Sequence, residues 1–249
     1  MNDNDSKLRY SRHLVLPEFG AAGQEKLRCA TVLIVGLGGL GSPVALYLAA
    51  AGIGTLLLND FDRVDLSNLQ RQILFTFTQV GTAKTSSAAV TLQALNPECK
   101  LKLLDRRLQG PELESSVRQA DVVLDGNDNF GTRFAVNAAC VKTRTPLVSG
   151  AAIRYEGQLS VFDARDADSP CYACLYPESG EALENCRSNG ILAPLVGVIG
   201  SFMAVEAIKL ITGVGQTLTG RLLRLDAKSG ALSIAQIKRD PACPVCQQH

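Results

Sequence analysis

The chain has 249 residues, 46% apolar and 20% charged, long enough for a sizeable core and too apolar for a disordered polymer. Its 25 basic and 24 acidic side chains leave a net charge of +1, which argues against nucleic acid as a partner. With only His13 and His249 as histidines, a Ser-His-Asp triad or a histidine-rich metal site is hard to build.

The N-terminal Met-Asn-Asp-Asn-Asp is acidic and lacks an apolar secretory stretch, so the expected location is the cytoplasm. Residues 5–28 read as a polar helix or arm, with Arg9 and Arg12 at helical i, i+3 spacing. That pair is either a solvated face or a joint grip on an anion. Thr31-Val-Leu-Ile-Val35 is aliphatic without polar alternation, the pattern of a strand buried on both faces. It enters Gly36-Leu-Gly-Gly-Leu-Gly41, after which Ser42-Pro43 opens an apolar helix to about Ala51. A second strand, 55–59, delivers Asp60 about 20 residues beyond the last motif glycine. Strand, G-x-G-x-x-G, helix, strand and acid together form the fingerprint of a nucleotide-binding βαβ unit. Glycines at Gly36, Gly38, Gly39 and Gly41 let backbone approach phosphate, the helix N-terminus offers N–H groups, and Asp60 suits ribose hydroxyls. The motif does not specify which nucleotide, and its bland alternative is a tight turn.

Past Asp60 the run Phe61–Gln72 gathers Asp62, Ser67, Asn68, Leu69, Gln70 and Arg71 just beyond a strand end, where ligands bind in open α/β sheets. Arg71 offers a planar fork to phosphate oxygens, and Lys84 adds a cation at the start of a helix at 85–95. A strand at 101–105, a helix at 111–119 and a strand at 121–125 lead to Gly126-Asn-Asp-Asn129 and a helix at 130–142. Asp128 there is a hard oxygen ligand suited to nucleotide-borne Mg²⁺, while Asn129 suits a helix N-cap. A buried strand at 146–150, an antiparallel one at 158–162 and a polar irregular segment at 163–189 follow. The apolar stretch 191–213 is interrupted by Pro194, Gly197 and Gly200, so no membrane span is expected. Strands at 221–225 and 231–237 precede a cysteine tail. The prediction is an α/β fold, a Rossmann-like doubly wound, mostly parallel sheet with a C-terminal antiparallel extension. It forms one domain over 1–249, with an arm (1–30), a nucleotide-binding core (31–150) and a C-terminal part (151–249).

Cys171-Tyr-Ala-Cys174 and Cys243-Pro-Val-Cys246 are two C-x-x-C pairs about 70 residues apart, the ligand set of a closed structural Zn²⁺ site. Two redox dithiols or an iron–sulfur cluster are the alternatives. Cys186 stands beside Arg187 ahead of a helix N-terminus, a setting that favours a thiolate, or else it is incidental. Cys29, Cys99 and Cys140 read as packing residues.

Gly36–Gly41, Asp60, Ser67-Asn-Leu-Gln-Arg71, Lys84, Asp128-Asn129, the paired C-x-x-C motifs and Arg9-Tyr-Ser-Arg12 together resemble ThiF/MoeB-type sulfur-carrier adenylyltransferases, the HesA/MoeB/ThiF family of ubiquitin-activating-like enzymes. The resemblance runs over essentially the whole chain. It implies a homodimer that uses ATP and Mg²⁺ to adenylate a ubiquitin-like sulfur-carrier protein ending in Gly-Gly, for thiamine or molybdopterin biosynthesis. It further implies Gly39 under the phosphates, Asp60 on the ribose, Asn68, Arg71 and Lys84 on phosphates, and Asp128 on Mg²⁺. Arg12 would reach the neighbouring subunit's ATP, and Cys186 would bond to the carrier. Asp125-Gly-Asn-Asp128 departs from the family's usual Asp-Cys-Thr-Asp. Ser149–Gln158 looks more like the molybdopterin type, Ser67–Phe75 and Glu184–Arg187 more like the thiamine type. The competing readings are an NAD-dependent oxidoreductase and a non-catalytic nucleotide-binding partner of a ubiquitin-like protein.

Overall fold

Aliphatic runs that never alternate with polar residues have to be covered on both sides, and here they line up as parallel strands between two helical layers. The computed structural model describes residues 3–176 and 190–247. Its strands are β1 (Thr31–Val35), β2 (Thr55–Asn59), β3 (Lys100–Leu104), β4 (Val122–Asp125), β5 (Leu147–Ile153), β6 (Glu156–Phe162), β7 (Arg221–Asp226) and β8 (Ala231–Gln236). They form one sheet in the order β3-β2-β1-β4-β5-β6-β7-β8. Pairings from β3 through β5 are parallel, and those from β5 through β8 are antiparallel.

The helices are α1 (Asp3–Arg9), α2 (Ser11–Leu14), α3 (Gly20–Cys29), α4 (Gly41–Ala51), α5 (Lys84–Leu95), α6 (Gly110–Arg118), α7 (Phe130–Thr143), α8 (Tyr172–Leu175) and α9 (Ala193–Thr212). Val32 and Ile34 of β1 join Leu27, Leu48, Leu92, Ile199 and Met203 in the core on one face. Leu33 and Val35 join Leu113, Val117, Phe134 and Tyr172 on the other. One short strand thus holds both layers.

Several features differ from the sequence expectation. The N-terminal arm is three helices broken at Tyr10, so Arg9 ends α1 and Arg12 lies in α2 instead of sharing one continuous helix. The stretch after β6 is not wholly irregular, because the buried Cys171 stands at the N-cap of α8 and the buried Tyr172 begins it. Pro194 lies in the first turn of α9, where its missing N–H costs nothing, and Gly197 and Gly200 leave that helix unbroken.

By length and composition, the 20 residues of α9 suffice to cross a membrane. The helix instead lies across β5, β6 and α4, with Ile199, Met203 and Ala207 fully buried. Gly200 makes this packing possible, since a Cβ there would meet Leu40 O at 2.5 Å. Of the three cysteines read as packing residues, Cys99 and Cys140 are buried, but Cys29 is exposed at the end of α3, where its thiol approaches Glu25. Cys186 lies outside the described residues.

Candidate active site

Strand order reverses between β1 and β4, so the turns that follow these strands diverge and leave a crevice at the carboxyl edge of the sheet. The turn after β1 is the glycine motif. Gly36 has φ +89°, a conformation open to glycine, and its N–H bonds Asn59 O at 2.8 Å. A Cβ on Gly41 would sit 1.9 Å from Gly36 O, so the third motif glycine is needed for α4 to close on the turn. Gly38 is different, because the nearest atom to a Cβ there is Gln72 Nε2 at 3.6 Å. Helix α4 begins with no capping side chain and no acid in its first turn. No side chain of this helix start therefore competes with an anion for its positive dipole end, although Ser42 N–H is already bonded to Gly38 O at 2.9 Å.

Asp60 is brought directly against this turn. Its Oδ2 accepts Leu37 N–H and its Oδ1 accepts Asp62 N–H, both at 2.8 Å. Burial pushes its carboxyl above the ordinary value of 3.8, opposed by the Lys84 ammonium, which lies 3.8 Å away. Lys84, the first residue of α5, is itself buried and donates to Asp62 Oδ2 at 3.2 Å. These three residues form a carboxylate–ammonium–carboxylate cluster beside the glycine turn.

Asn68 ends a single 3₁₀ turn, and its Oδ1 accepts from Arg71 Nη2 and from Gln72 Nε2, each at 3.1 Å. Arg71 also donates to Ser67 O at 3.3 Å. Leu69 packs on the core, and Gln70 and Arg71 both line a groove formed with α4 and α9. Gln72 was not marked by sequence reasoning. It is buried beside Gly38, and its Oε1 has no hydrogen-bond partner among the described residues.

The turn after β4 touches the glycine turn, since a Cβ on Gly126 would lie 3.2 Å from Gly41 N. Asn127 Nδ2 donates to Val35 O at 3.2 Å, tying the two strand ends together. Asp128 follows as an exposed carboxylate, and Asn129 caps α7 by accepting Thr132 N–H at 3.0 Å. Beneath them, Arg133 holds the turn from inside. Its guanidinium lies 3.5 Å from the fully buried Asp125 and donates to Ser149 Oγ at 3.2 Å, to Gly150 O at 2.9 Å and to Asn127 O. A lone arginine in the apolar run Phe130–Val141 was the available signal for this network.

Arg12 is exposed and lines a groove with Tyr47, Ser201 and Val205 on the α4/α9 face, apart from the described polar cluster around Asp60.

The four cysteines of the two C-x-x-C pairs come together behind α7. Cys171 and Cys243 sulfurs are 3.6 Å apart, Cys174 and Cys246 3.5 Å, and Cys171 and Cys174 3.9 Å. All four lie within 4.8 Å of one another. Disulfides need about 2 Å between sulfurs, whereas a tetrahedron of four Zn–S bonds of about 2.3 Å has edges of about 3.8 Å. The donor set and spacing fit a single ion.

A model of the ThiF family matches residues 10–245. The chain is 47% identical over 246 residues to the sulfur carrier protein ThiS adenylyltransferase of Escherichia coli strain K12, covering 99% of this chain and 97% of that protein. It is also 47% identical over 246 residues to the adenylyltransferase and sulfurtransferase MOCS3 of Drosophila yakuba, of which it spans about half, 54%. Among solved structures, Escherichia coli MccB with ATP aligns with a TM-score of 0.83 at 26% identity, covering 96% of this chain and 74% of that one.

Proposed function

The chain belongs to the ThiF family, and from that premise we propose that it adenylates the C-terminal glycine of a ubiquitin-like sulfur-carrier protein of the ThiS or MoaD type, serving thiamine or molybdopterin biosynthesis. The observation that carries this reading is the meeting of the glycine turn, Asp60 and Lys84 with the Asp128 turn across the β1/β4 crevice. The relative matched end to end is named for ThiS, which favours a ThiS-like carrier ending in Gly-Gly. An NAD-dependent oxidoreductase would use the same turn and Asp60 but would leave Arg71, Lys84 and Asp128 without a joint task.

In the proposed reaction a carboxylate oxygen of the carrier's last glycine attacks the α-phosphorus of ATP. The bond from that phosphorus to the bridging oxygen breaks, and pyrophosphate leaves with the electron pair. The attacking carboxylate is already ionised at neutral pH, so no general base is required. This suits a chain nearly devoid of histidine. The enzyme's task is in-line positioning and compensation of charge on the departing pyrophosphate. The glycine turn and the α4 N-terminus receive phosphates, Asp60 the ribose, and Asn68, Arg71 and Lys84 the phosphate oxygens. Asp128 would hold Mg²⁺, which when bound supplies Lewis-acid neutralisation of the triphosphate. Losing one such contact costs about 3 kcal/mol, roughly a hundredfold in rate. Asp128→Ala is therefore expected to cut carrier-dependent ATP–pyrophosphate exchange by about that factor or more. Exchange at the wild-type rate would remove Asp128 from the mechanism.

The homodimer belongs to the same proposal. Tyr47, Ile73, Val198 and Val205 are 58%, 61%, 42% and 50% exposed along one groove between α4 and α9, an apolar face suited to a second copy. The neighbouring groove carries Arg12, which would then enter the partner subunit's ATP site. Zn²⁺ in the four-cysteine site would tie the C-terminal tail to α8, in one cytoplasmic adenylation domain spanning 1–249. Cys186, proposed to bond covalently to the carrier after adenylation, rests on its sequence setting alone. Cys186→Ser should keep exchange and abolish the adduct, and an adduct that persists would dismiss it.

A further inference from the structure

Asn137 lies midway along α7 with its side chain 1% exposed. Its Oδ1 accepts Tyr172 N–H at 2.8 Å, on the backbone just after the first of the four clustered cysteines. The other end of this amide has a problem to solve. Nδ2 carries two protons, yet it has no hydrogen-bond partner among the described residues. The carbonyl carbon bonded to that Tyr172 nitrogen belongs to Cys171, so the amide is held at the Cys171–Tyr172 peptide. Asn137 and Cys171 line one cavity of about 200 Å³ with Cys140 and Cys246.

A neutral thiol is a poor acceptor, whereas a metal-bound thiolate retains negative charge and accepts N–H groups well. The donor without a partner therefore shares a cavity with sulfurs that become good acceptors when the site is loaded, and its amide is already fixed on the residue after Cys171. We propose that Asn137 is the positioning residue of the four-cysteine site: with a metal ion on Cys171, Cys174, Cys243 and Cys246, Nδ2 donates to the Cys171 sulfur while Oδ1 keeps the Tyr172 N–H. This rests on the metal reading above. One side chain then fixes both a ligand and the backbone that follows it. Asn137 stands eight residues after the α7 cap Asn129, about 12 Å along the axis at 1.5 Å per residue. Asn137 and the cap that follows Asp128 thus belong to one helix.

Two measurements on the full chain test this. In wild-type protein loaded with NMR-active cadmium, one Asn137 side-chain proton is expected to move downfield and to couple through the N–H···S contact to the metal. Asn137→Asp keeps the acceptor for Tyr172 N–H and removes the donor. It is expected to weaken zinc binding about 10- to 100-fold in chelator competition and to move the cobalt–thiolate charge-transfer band to lower energy. Should that variant not fold, the wild-type cadmium spectrum still decides. An Asn137 amide unchanged by cadmium, or a folded variant that holds zinc as tightly as wild type, overturns the proposal. A wild-type chain that takes up neither zinc, cobalt nor cadmium overturns the metal reading itself and this inference with it.

Discussion

Gly41→Ala is the substitution whose cost the geometry states most directly. The new Cβ would lie 1.9 Å from Gly36 O and 2.9 Å from Gly36 C, where even 3.0 Å is essentially never seen, so the turn has to open by at least 3.0 − 1.9 = 1.1 Å. The obstructing atoms are backbone, so no side-chain rotation relieves the clash. Overpacking of this kind costs roughly 1–3 kcal/mol, which in a chain of this size lowers Tm by about 2 to 12 °C. Gly38→Ala is the matched control. Its Cβ meets nothing closer than Gln72 Nε2 at 3.6 Å, so Tm should stay within about 2 °C of wild type. If the turn receives phosphate through close backbone approach, a methyl on Gly38 is expected to weaken ATP binding even so. Thermal unfolding and ATP titration calorimetry on both variants separate packing from ligand contact. A Gly41→Ala protein with wild-type Tm and ATP affinity would mean that the turn accommodates the methyl and that its close approach to Gly36 O is dispensable.

Three further outcomes follow from the same geometry. Protons and ribose hydroxyls compete for the Asp60 oxygens, and burial raises that carboxyl above 3.8, so ATP affinity should decline on acidification sooner than an ordinary aspartate allows. Measured against Asp60→Asn to cancel titration of ATP itself, an absent pH-dependent difference would dismiss Asp60 from the site. Mixing Arg12→Ala and Asp128→Ala subunits, each inactive alone, should restore about a quarter of wild-type exchange, because half the dimers carry one intact site of two. No recovery would place Arg12 in its own subunit's site or outside catalysis. Cys243→Ser should lower Tm and make it insensitive to a strong zinc chelator, while wild type loses stability on chelation. A wild-type Tm unmoved by chelator would exclude a structural metal.

How much of this was legible varied with the cause of each feature. β1, β2 and β4 were readable because burial on both faces leaves unbroken aliphatic runs, and Asp60 because a strand end fixes its place. Asn129 was readable as a cap because its side chain competes for the N–H groups of its own helix start. The continuity of α9 was not, since Gly200 looks like a helix breaker until its contact with Leu40 O gives it a reason. The Asp125–Arg133–Ser149 network joins three elements far apart in sequence, and no local pattern announces it. The same holds for Gln72 beneath Gly38 and for Asn137 beside Cys171, where burial alone turns an ordinary amide into a positioned one. The four cysteines were legible as one cluster because C-x-x-C spacing already holds the two thiols of each pair close together.

The crevice between β1 and β4 is proposed to join a carrier's terminal carboxylate to AMP. Mass spectrometry of a Gly-Gly-ended ThiS-like carrier, incubated with the chain, ATP and Mg²⁺, tests it most directly. The expected result is an adenylate on the last glycine with one pyrophosphate released per carrier modified. An unmodified carrier, with no pyrophosphate formed while the chain is folded and ATP is bound, would contradict it.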